Sequence, residues 1–146
     1  MKIRQRIGWM LCIAVAFGLG ASACGEKKQG KVMVTEQEFV LRQDNEKAYV
    51  MDARGKVKNI GAVDVKNVVV TGYCRSCGEL INPGNWFISD IEKTPDQKAV
   101  ISYLPVNGEE EFSFKGVAFI YNTVAEKPAT VPEKMEVVVE SFETVD

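Results

Sequence analysis

Two cysteines separated by two residues are the side chains of this sequence best suited to chemistry. Cys74 and Cys77 stand in the stretch "GYCRSCGEL". A C-x-x-C pair is typical of a thiol–disulfide redox centre, of half a metal site, or of a disulfide that fixes a turn. A redox pair usually opens a helix, whose N-terminus lowers the thiol pKa. The stretch "GELINPGNW" that follows contains a proline and two glycines and has no amphipathic helical pattern.

A metal site at this pair lacks ligands. Two thiolates provide half of a tetrahedral zinc shell, and the sequence contains no histidine to complete it. Carboxylates or a second chain would have to supply the rest. If Cys74 and Cys77 are the ends of a four-residue turn, their Cα atoms lie within about 7 Å, near the range of a disulfide. We therefore predict a structural Cys74–Cys77 disulfide, no metal and no cofactor, and keep redox activity and metal transfer as alternatives.

No other cluster in the sequence indicates catalysis, so we predict no catalytic residues and no enzymatic activity. The absence of histidine removes the usual general acid–base group. The glutamates of "EEE" at 109–111 are adjacent, so they point in different directions and predict a solvated turn. Trp86 and Phe87 follow the turn "INPGN" and are candidate ligand-facing residues, although such an aromatic pair more often divides between core and surface.

The first 23 residues have the pattern of an export signal. Lys2, Arg4 and Arg6 form a basic start, and the uncharged stretch "IGWMLCIAVAFGLGASAC" follows. A basic region, an apolar core and a small-residue exit are typical of a secretory signal. Because the uncharged stretch approaches the roughly 18 apolar residues that span a bilayer, an uncleaved anchor is one alternative to the lipid anchor considered next. Plain secretion after cleavage is the other alternative.

The end of this segment, "ASAC", resembles the lipobox of bacterial lipoproteins, with Cys24 in the cysteine position and Ala21 where the family usually has leucine. The resemblance implies a signal peptide over 1–23, cleavage after Ala23 and diacylation of Cys24 (a palmitate-type anchor). The expected location is the bacterial cell envelope, with the membrane as a partner through this lipid. Gly25 replaces the aspartate that favours inner-membrane retention in enteric bacteria, which favours the outer membrane, facing the periplasm.

The composition of the mature chain limits its partners. Three of the 18 basic residues and none of the 20 acidic residues precede Cys24, which leaves a formal charge of −5 on residues 24–146. Nucleic acids and anionic head groups require a basic patch, so we predict no nucleic-acid partner. The remaining chain is long enough for one domain with its own core.

The pattern beyond a polar tether at 24–36 predicts strands. "KAYVMDARGKVK" alternates with Tyr49, Met51, Ala53, Gly55 and Val57 on one face. Similar alternation and turn residues predict seven strands in a domain over 37–146, at 37–42, 47–59, 64–74, 85–91, 98–104, 111–122 and 134–142. The fold class is therefore all-β, a single antiparallel sandwich with immunoglobulin-like topology, and a small barrel is the alternative.

Inward-facing side chains are predicted within the last strands. Phe112, Phe114, Val137 and Val139 should be buried because their strands alternate most regularly. The alternation changes phase after Gly116, which suggests a bulge there and predicts an inward face of Val117, Phe119 and Tyr121.

The stretches "ARGKVKNIGAVDVKNVVVTGY" and "ISYLPVNGEEEFSF" are similar to the FxLYD group of bacterial envelope domains. Gly55, Val57 and Asn59 match its G-x-V-x-N motif, and the second motif is matched by Leu104, Gly108, Phe112 and Phe114. The similarity covers roughly residues 49 to 142, and the tail "VVVESFE" lacks the signature for which the family is named. WHy-type sandwiches look much the same. The resemblance implies an immunoglobulin-like fold and no known catalytic residues.

These observations predict a non-enzymatic envelope lipoprotein. Its sandwich would serve as a binding or structural module at the membrane surface, with an envelope protein as its unidentified partner. The alternative is a thiol–disulfide or metal-transfer protein that uses Cys74 and Cys77.

Overall fold

The computed structural model describes residues 27–89 and 92–146 of the 146-residue chain. These residues form six β-strands and one 3-10 turn, Pro95–Gln97. The strands are β1 (Val32–Asn45), β2 (Ala48–Asn59), β3 (Val65–Cys74), β4 (Lys98–Leu104), β5 (Glu109–Tyr121) and β6 (Met135–Thr144). No helix in the described part of the chain has the length and apolar character to cross a membrane.

The strands form two antiparallel sheets that pack as a sandwich. One sheet has the order β1-β2-β5 and the other the order β4-β3-β6. The pairs β2–β5 and β3–β6 correspond to the B–E and C–F pairs of an immunoglobulin-like sandwich, with β4 beside β3 in the position of a C′ strand. Two separate three-stranded sheets confirm the predicted sandwich rather than the barrel.

Two predicted boundaries of this fold are wrong. β1 begins at Val32, so the tether predicted over 24–36 ends earlier and the domain begins before residue 37. The strand predicted at 85–91 does not form in its described residues, where Phe87 makes only isolated bridges to Gly78 and Phe119. Further along the chain, Lys93 donates a hydrogen bond to the Gly72 carbonyl of β3, which belongs to the other sheet.

The core lies between the sheets and follows the predicted alternation. The predicted inner residues Met51, Ala53 and Val57 are buried on β2. Phe112 and Phe114 are each 5% exposed and stack with ring centroids 5.7 Å apart. The central strand β3, apolar on both faces in the sequence, buries side chains along most of its length. The prediction for β6 is confirmed at Val137, which is buried, while Val139 is partly buried against the core.

The irregularity predicted at Gly116 exists, but its effect differs from the prediction. The register pairs Met51 with Ala118 and Ala53 with Phe114, so β5 has two more residues than β2 in this interval. An insertion of two residues preserves the side-chain phase, whereas one residue would reverse it. Ala118 and Ile120 therefore face the core with Val117, whereas Phe119 is half-buried and Tyr121 is 44% exposed.

The chain enters the sandwich at one end, which we call the tether end. Ile60 N and Gly61 N donate to the Lys31 carbonyl at 2.8 and 3.1 Å, and Ala62 N donates to Gln29 O at 2.9 Å. Val32 pairs with Asn59 at the start of β1. The opposite end, which we call the disulfide end, carries Cys74 and Cys77 and consists of the segments 75–89, 92–97 and 122–134. The strands between them make the two ends about 30 Å apart.

Candidate functional site at the disulfide end

The predicted pairing of Cys74 with Cys77 is present. Their sulfur atoms are at bonding distance, 1.96 Å apart, and their Cα atoms are 5.5 Å apart. Cys74 is the last residue of β3 and is 5% exposed, whereas Cys77 is half-buried. Arg75 between them lies over the Tyr73 ring, 4.8 Å from its centroid, and donates to Glu136 Oε1 at 2.6 Å. The pair therefore closes a bend at the end of a strand.

The disulfide begins a loop over 78–88 whose two ends are hydrogen-bonded to each other and whose second half is hydrogen-bonded to β5. Gly78 N donates to Trp86 O at 3.0 Å, and Ile88 N donates to Gly78 O at 2.9 Å. Phe87 exchanges two backbone hydrogen bonds with Phe119 of β5, both 2.9 Å. Because the bonds join both ends of the loop to each other and to β5, the loop presents its middle residues on a fixed base.

Of the two candidate ligand-facing residues, Phe87 lies in the core, so a ligand-facing role for Phe87 is wrong, and Trp86 lies at the surface. Phe87 is 6% exposed and stacks on Phe119 and Tyr121, with centroid distances of 5.9 and 5.8 Å. Trp86 is half-buried, and its indole Nε1 donates to Thr130 O at 2.9 Å. This hydrogen bond fixes the indole against the segment 130–133. Trp86 is thus the member of the pair that a ligand can reach.

A groove of about 960 Å³ lies between the loop and the segment 130–133. We call it the disulfide-end groove. Two apolar side chains of its lining are strongly exposed, Leu80 at 78% and Val131 at 51%, and Ile81, which follows Leu80 in the chain, is 67% exposed. Its lining residues are Ser76, Cys77, Gly78, Glu79, Leu80, Asn82, Gly84, Asn85, Trp86, Thr130, Val131, Pro132 and Glu133.

The charge of the groove is negative. Glu79 and Glu133 line it and are exposed, and its lining contains no lysine or arginine. Neither carboxylate has a cationic partner within 4.0 Å among residues 27–89 and 92–146. The nearby cation Arg75 is paired with Glu136 instead, at 2.5 Å. An occupant would therefore meet apolar side chains between two free carboxylates.

A smaller cavity of about 310 Å³ lies on the other side of the disulfide and contains Lys93, which the sequence did not single out. Lys93 Nζ lies 3.8 Å from the Tyr73 ring centroid, donates to Thr71 Oγ1 at 2.9 Å and also donates to the Gly72 carbonyl. Burial lowers the pKa of the Lys93 ammonium below its ordinary value. Since its donors are used by the protein, Lys93 fastens the segment after the loop to β3.

The charged groups considered in the sequence lie away from this end. Glu109, Glu110 and Glu111 are exposed at the start of β5, which is at the tether end. Lys56, in the alternating stretch "KAYVMDARGKVK", pairs with Glu36 at 3.2 Å on the outer face of the first sheet. Such exposed pairs contribute little to stability. The described residues contain no group of three or more histidine, cysteine, aspartate or glutamate side chains that could hold a metal ion.

Comparison with known proteins leaves the site to be interpreted from its own geometry. No protein-family model, no curated protein and no solved structure matches this chain.

The structure brings together at one end the residues that the sequence had treated separately, Cys74, Cys77, Trp86 and Phe87. Cys24 and the predicted signal peptide lie outside the described residues. The sequence analysis missed Leu80 and Ile81, although a signal was present: an apolar pair inside the turn-rich stretch "GELINPGN" has no strand or helix to bury it.

Proposed function

We propose that this chain is a non-enzymatic lipoprotein of the bacterial cell envelope, held by lipid on Cys24 in the outer membrane and facing the periplasm. Its FxLYD-like sandwich acts as a binding module. The observation that carries the proposal is the position of the chain entry. Residues 29–31 are hydrogen-bonded at the tether end, and the groove with exposed Leu80 and Trp86 lies at the opposite end. A lipid just before residue 25 therefore leaves the groove directed away from the membrane.

A short tether suits this arrangement. Residues 25–28, "GEKK", precede Gln29, whose carbonyl is the first hydrogen-bonded group in the described part of the chain, and an extended chain reaches about 3.5 Å per residue. The sandwich then stays within roughly 15 Å of the bilayer at its tether end, and its long axis carries the groove farther out. The anchored chain offers this groove to other envelope proteins and needs no catalytic group for the task.

The experiment is membrane fractionation of cells that produce the full chain or its Cys24→Ala variant. The wild-type protein should be in the membrane fraction, and its N-terminal peptide should have the mass of acylated Cys24. The variant should lose that mass and be retained only as the uncleaved precursor or be released. An unmodified N-terminus at Cys24, or the precursor mass for the wild type, would refute the lipid anchor.

A thiol–disulfide function is the second candidate, favoured by the position of Cys77, which is half-buried and lines the groove. A partner thiolate in the groove could reach this sulfur. Its reduction potential separates the two functions: a value near those of known oxidoreductases would support exchange, and a value below about −300 mV would indicate a structural bond.

A further inference from the structure

We propose that the disulfide-end groove binds an extended segment of another envelope protein, in which apolar side chains alternate with or flank lysine or arginine. The inference deepens the proposed function, because it names the partner chemistry of the binding module. Three features of the groove carry it: exposed apolar side chains, a fixed base and unpaired negative charge.

Exposed apolar side chains lie on both walls of the groove. Leu80 and Ile81 are neighbours in the loop, and Val131 lies in the opposite wall of the groove, with exposures of 78%, 67% and 51%. Trp86 forms part of the lining between them. Single exposed apolar residues are ordinary, but a group around a concave surface marks an interaction site. Tryptophan is also one of the residue types that most often dominate binding energy at an interface.

The base of the groove is preorganised. The Cys74–Cys77 disulfide fixes one end of the loop, and the Phe87–Phe119 backbone pair fixes the other. Gly84 N donates to Tyr121 O at 2.7 Å, and the Trp86 indole is bonded to Thr130 O. Because these contacts hold the loop before any partner arrives, little conformational entropy is lost on binding.

The charge of the groove selects among occupants. Glu79 and Glu133 flank the apolar side chains and have no cationic partner among residues 27–89 and 92–146. A two-fold contact with a second copy would oppose the same acidic patch on both chains. An anionic membrane surface would be repelled for the same reason. A segment with lysine or arginine next to its apolar side chains satisfies both parts of the surface.

The test uses residues 27–146 in solution, which contain both sheets and the whole core cluster between Val32 and Thr144. A random dodecapeptide library is selected on this domain and counter-selected on its Leu80→Asp variant. We expect enriched peptides that combine apolar residues with lysine or arginine. Trp86 is the only tryptophan in these residues, since the other is Trp9, so its fluorescence should shift and saturate when an enriched peptide is titrated.

Matched variants locate the binding. Leu80→Asp should weaken the peptide at least about tenfold, whereas Val100→Asp, an exposed valine (65%) on β4, should leave affinity unchanged. The double change Glu79→Gln with Glu133→Gln should weaken binding severalfold at low salt and less at high salt. Glu110→Gln removes one negative charge at the tether end, away from the groove, and should leave peptide affinity unchanged. Urea unfolding of each variant confirms that it is folded.

Several outcomes would overturn the proposal. They are no enrichment, enrichment of peptides without basic residues, and equal weakening by Leu80→Asp and Val100→Asp. Sedimentation that shows a dimer lost in Leu80→Asp would identify a second copy as the occupant and also overturn it. Because this domain lacks Cys24, its binding does not depend on lipidation. If Cys24 is acylated but no peptide binds the domain, the groove proposal is refuted and the lipid anchor stands. If peptides bind but Cys24 is not acylated, the lipid anchor is refuted and the groove proposal stands.

Discussion

Asn59 joins the β2–β3 loop to the end of β4 at the tether end through both polar atoms of its side chain. It is fully buried, and its Nδ2 donates to Val63 O at 2.8 Å and to Leu104 O at 3.1 Å. Its Oδ1 accepts from Gly61 N at 2.9 Å. The asparagine of the G-x-V-x-N pattern thus has a structural reason, since no apolar residue could make these three hydrogen bonds to backbone groups that are buried or partly buried.

Asn59→Ala should lower the free energy of unfolding by about 2–4 kcal/mol, because it removes three hydrogen bonds and leaves the Val63 and Leu104 carbonyls without this donor, while Gly61 N keeps its bond to Lys31 O. Urea unfolding measures the change. The control is Asn85→Ala, since Asn85 is exposed and no side-chain hydrogen bond of Asn85 is found within the described ranges. Equal losses for the two variants would contradict the role assigned to Asn59.

Phe114 tests the assignment of the inner face. Its side chain is 5% exposed and stacks on Phe112 in the core. Phe114→Ala should cost about 3–5 kcal/mol because it leaves a cavity. Phe142→Ala on β6, where the ring is 36% exposed, should cost much less. A loss below about 1 kcal/mol for Phe114→Ala would mean that β5 has its faces reversed.

Residue types and spacing were enough to predict the Cys74–Cys77 pair and the division of Trp86 and Phe87. They were not enough for Lys93, because its role depends on Tyr73 and Gly72, which lie about twenty residues earlier in the chain. The absence of cationic partners for Glu79 and Glu133 within the described residues could not be predicted from the sequence either. Both depend on which chain segments meet at the disulfide end, and no local pattern contains that information.

At the scale of elements, the disulfide stabilises one loop rather than the fold. Closing a loop of four residues contributes about 2 kcal/mol in the chain-entropy model. Reductant should therefore lower the free energy of unfolding by about 2 kcal/mol and leave the sandwich folded. Urea unfolding with and without reductant measures this. A Cys74→Ser/Cys77→Ser double variant should not respond to reductant. Complete unfolding on reduction would show that the bond is essential to the sandwich.

The bulge in β5 depends on Gly116, which has a φ of 74°. A Cβ there would lie 3.0 Å from Phe119 Cζ and 3.3 Å from Gln97 Cγ. Gly116→Ala should cost about 2–4 kcal/mol from backbone strain and crowding together. Gly84 has a similar φ of 81° with nothing within 4 Å of its Cβ position. Gly84→Ala should therefore cost only the backbone part, about 1–2 kcal/mol. Equal thermal shifts would contradict the crowding at Gly116.

Most strands were predictable because one face of each is buried and the other is solvated, which produces a period of two. β1 was predicted too short because residues 35–38 are polar and exposed on both faces, which separates Val32 and Val34, packed against the core, from the alternation that begins at Phe39. The segment 85–91 has strand-forming residues, but in its described part only Phe87 bridges to β5, and Lys93 further along is bonded to β3. A segment that connects two sheets can have the same composition as a strand, and only its tertiary contacts show which of the two it is.

For the whole molecule, the sequence predicted the sandwich and its immunoglobulin-like pairing, since alternating strands separated by turns allow few other architectures. It did not predict that the chain entry and the Cys74–Cys77 loop are at opposite ends. That arrangement follows from the number of strands between Val32 and Cys74, an odd count of three, each of which runs the length of the sandwich. The account of function rests on this arrangement together with a lipid on Cys24.

The most direct measurement is energy transfer from tryptophan to a dansyl-labelled lipid in vesicles that contain the mature chain purified from membranes. Trp86, the only tryptophan after the predicted signal peptide, reports on the disulfide end. A Trp86→Phe/Ile60→Trp variant reports on the tether end, where Ile60 is 40% exposed. We expect clearly stronger transfer from position 60 than from position 86, because the ends are about 30 Å apart. Equal transfer, or stronger transfer from Trp86, would contradict a groove directed away from the membrane.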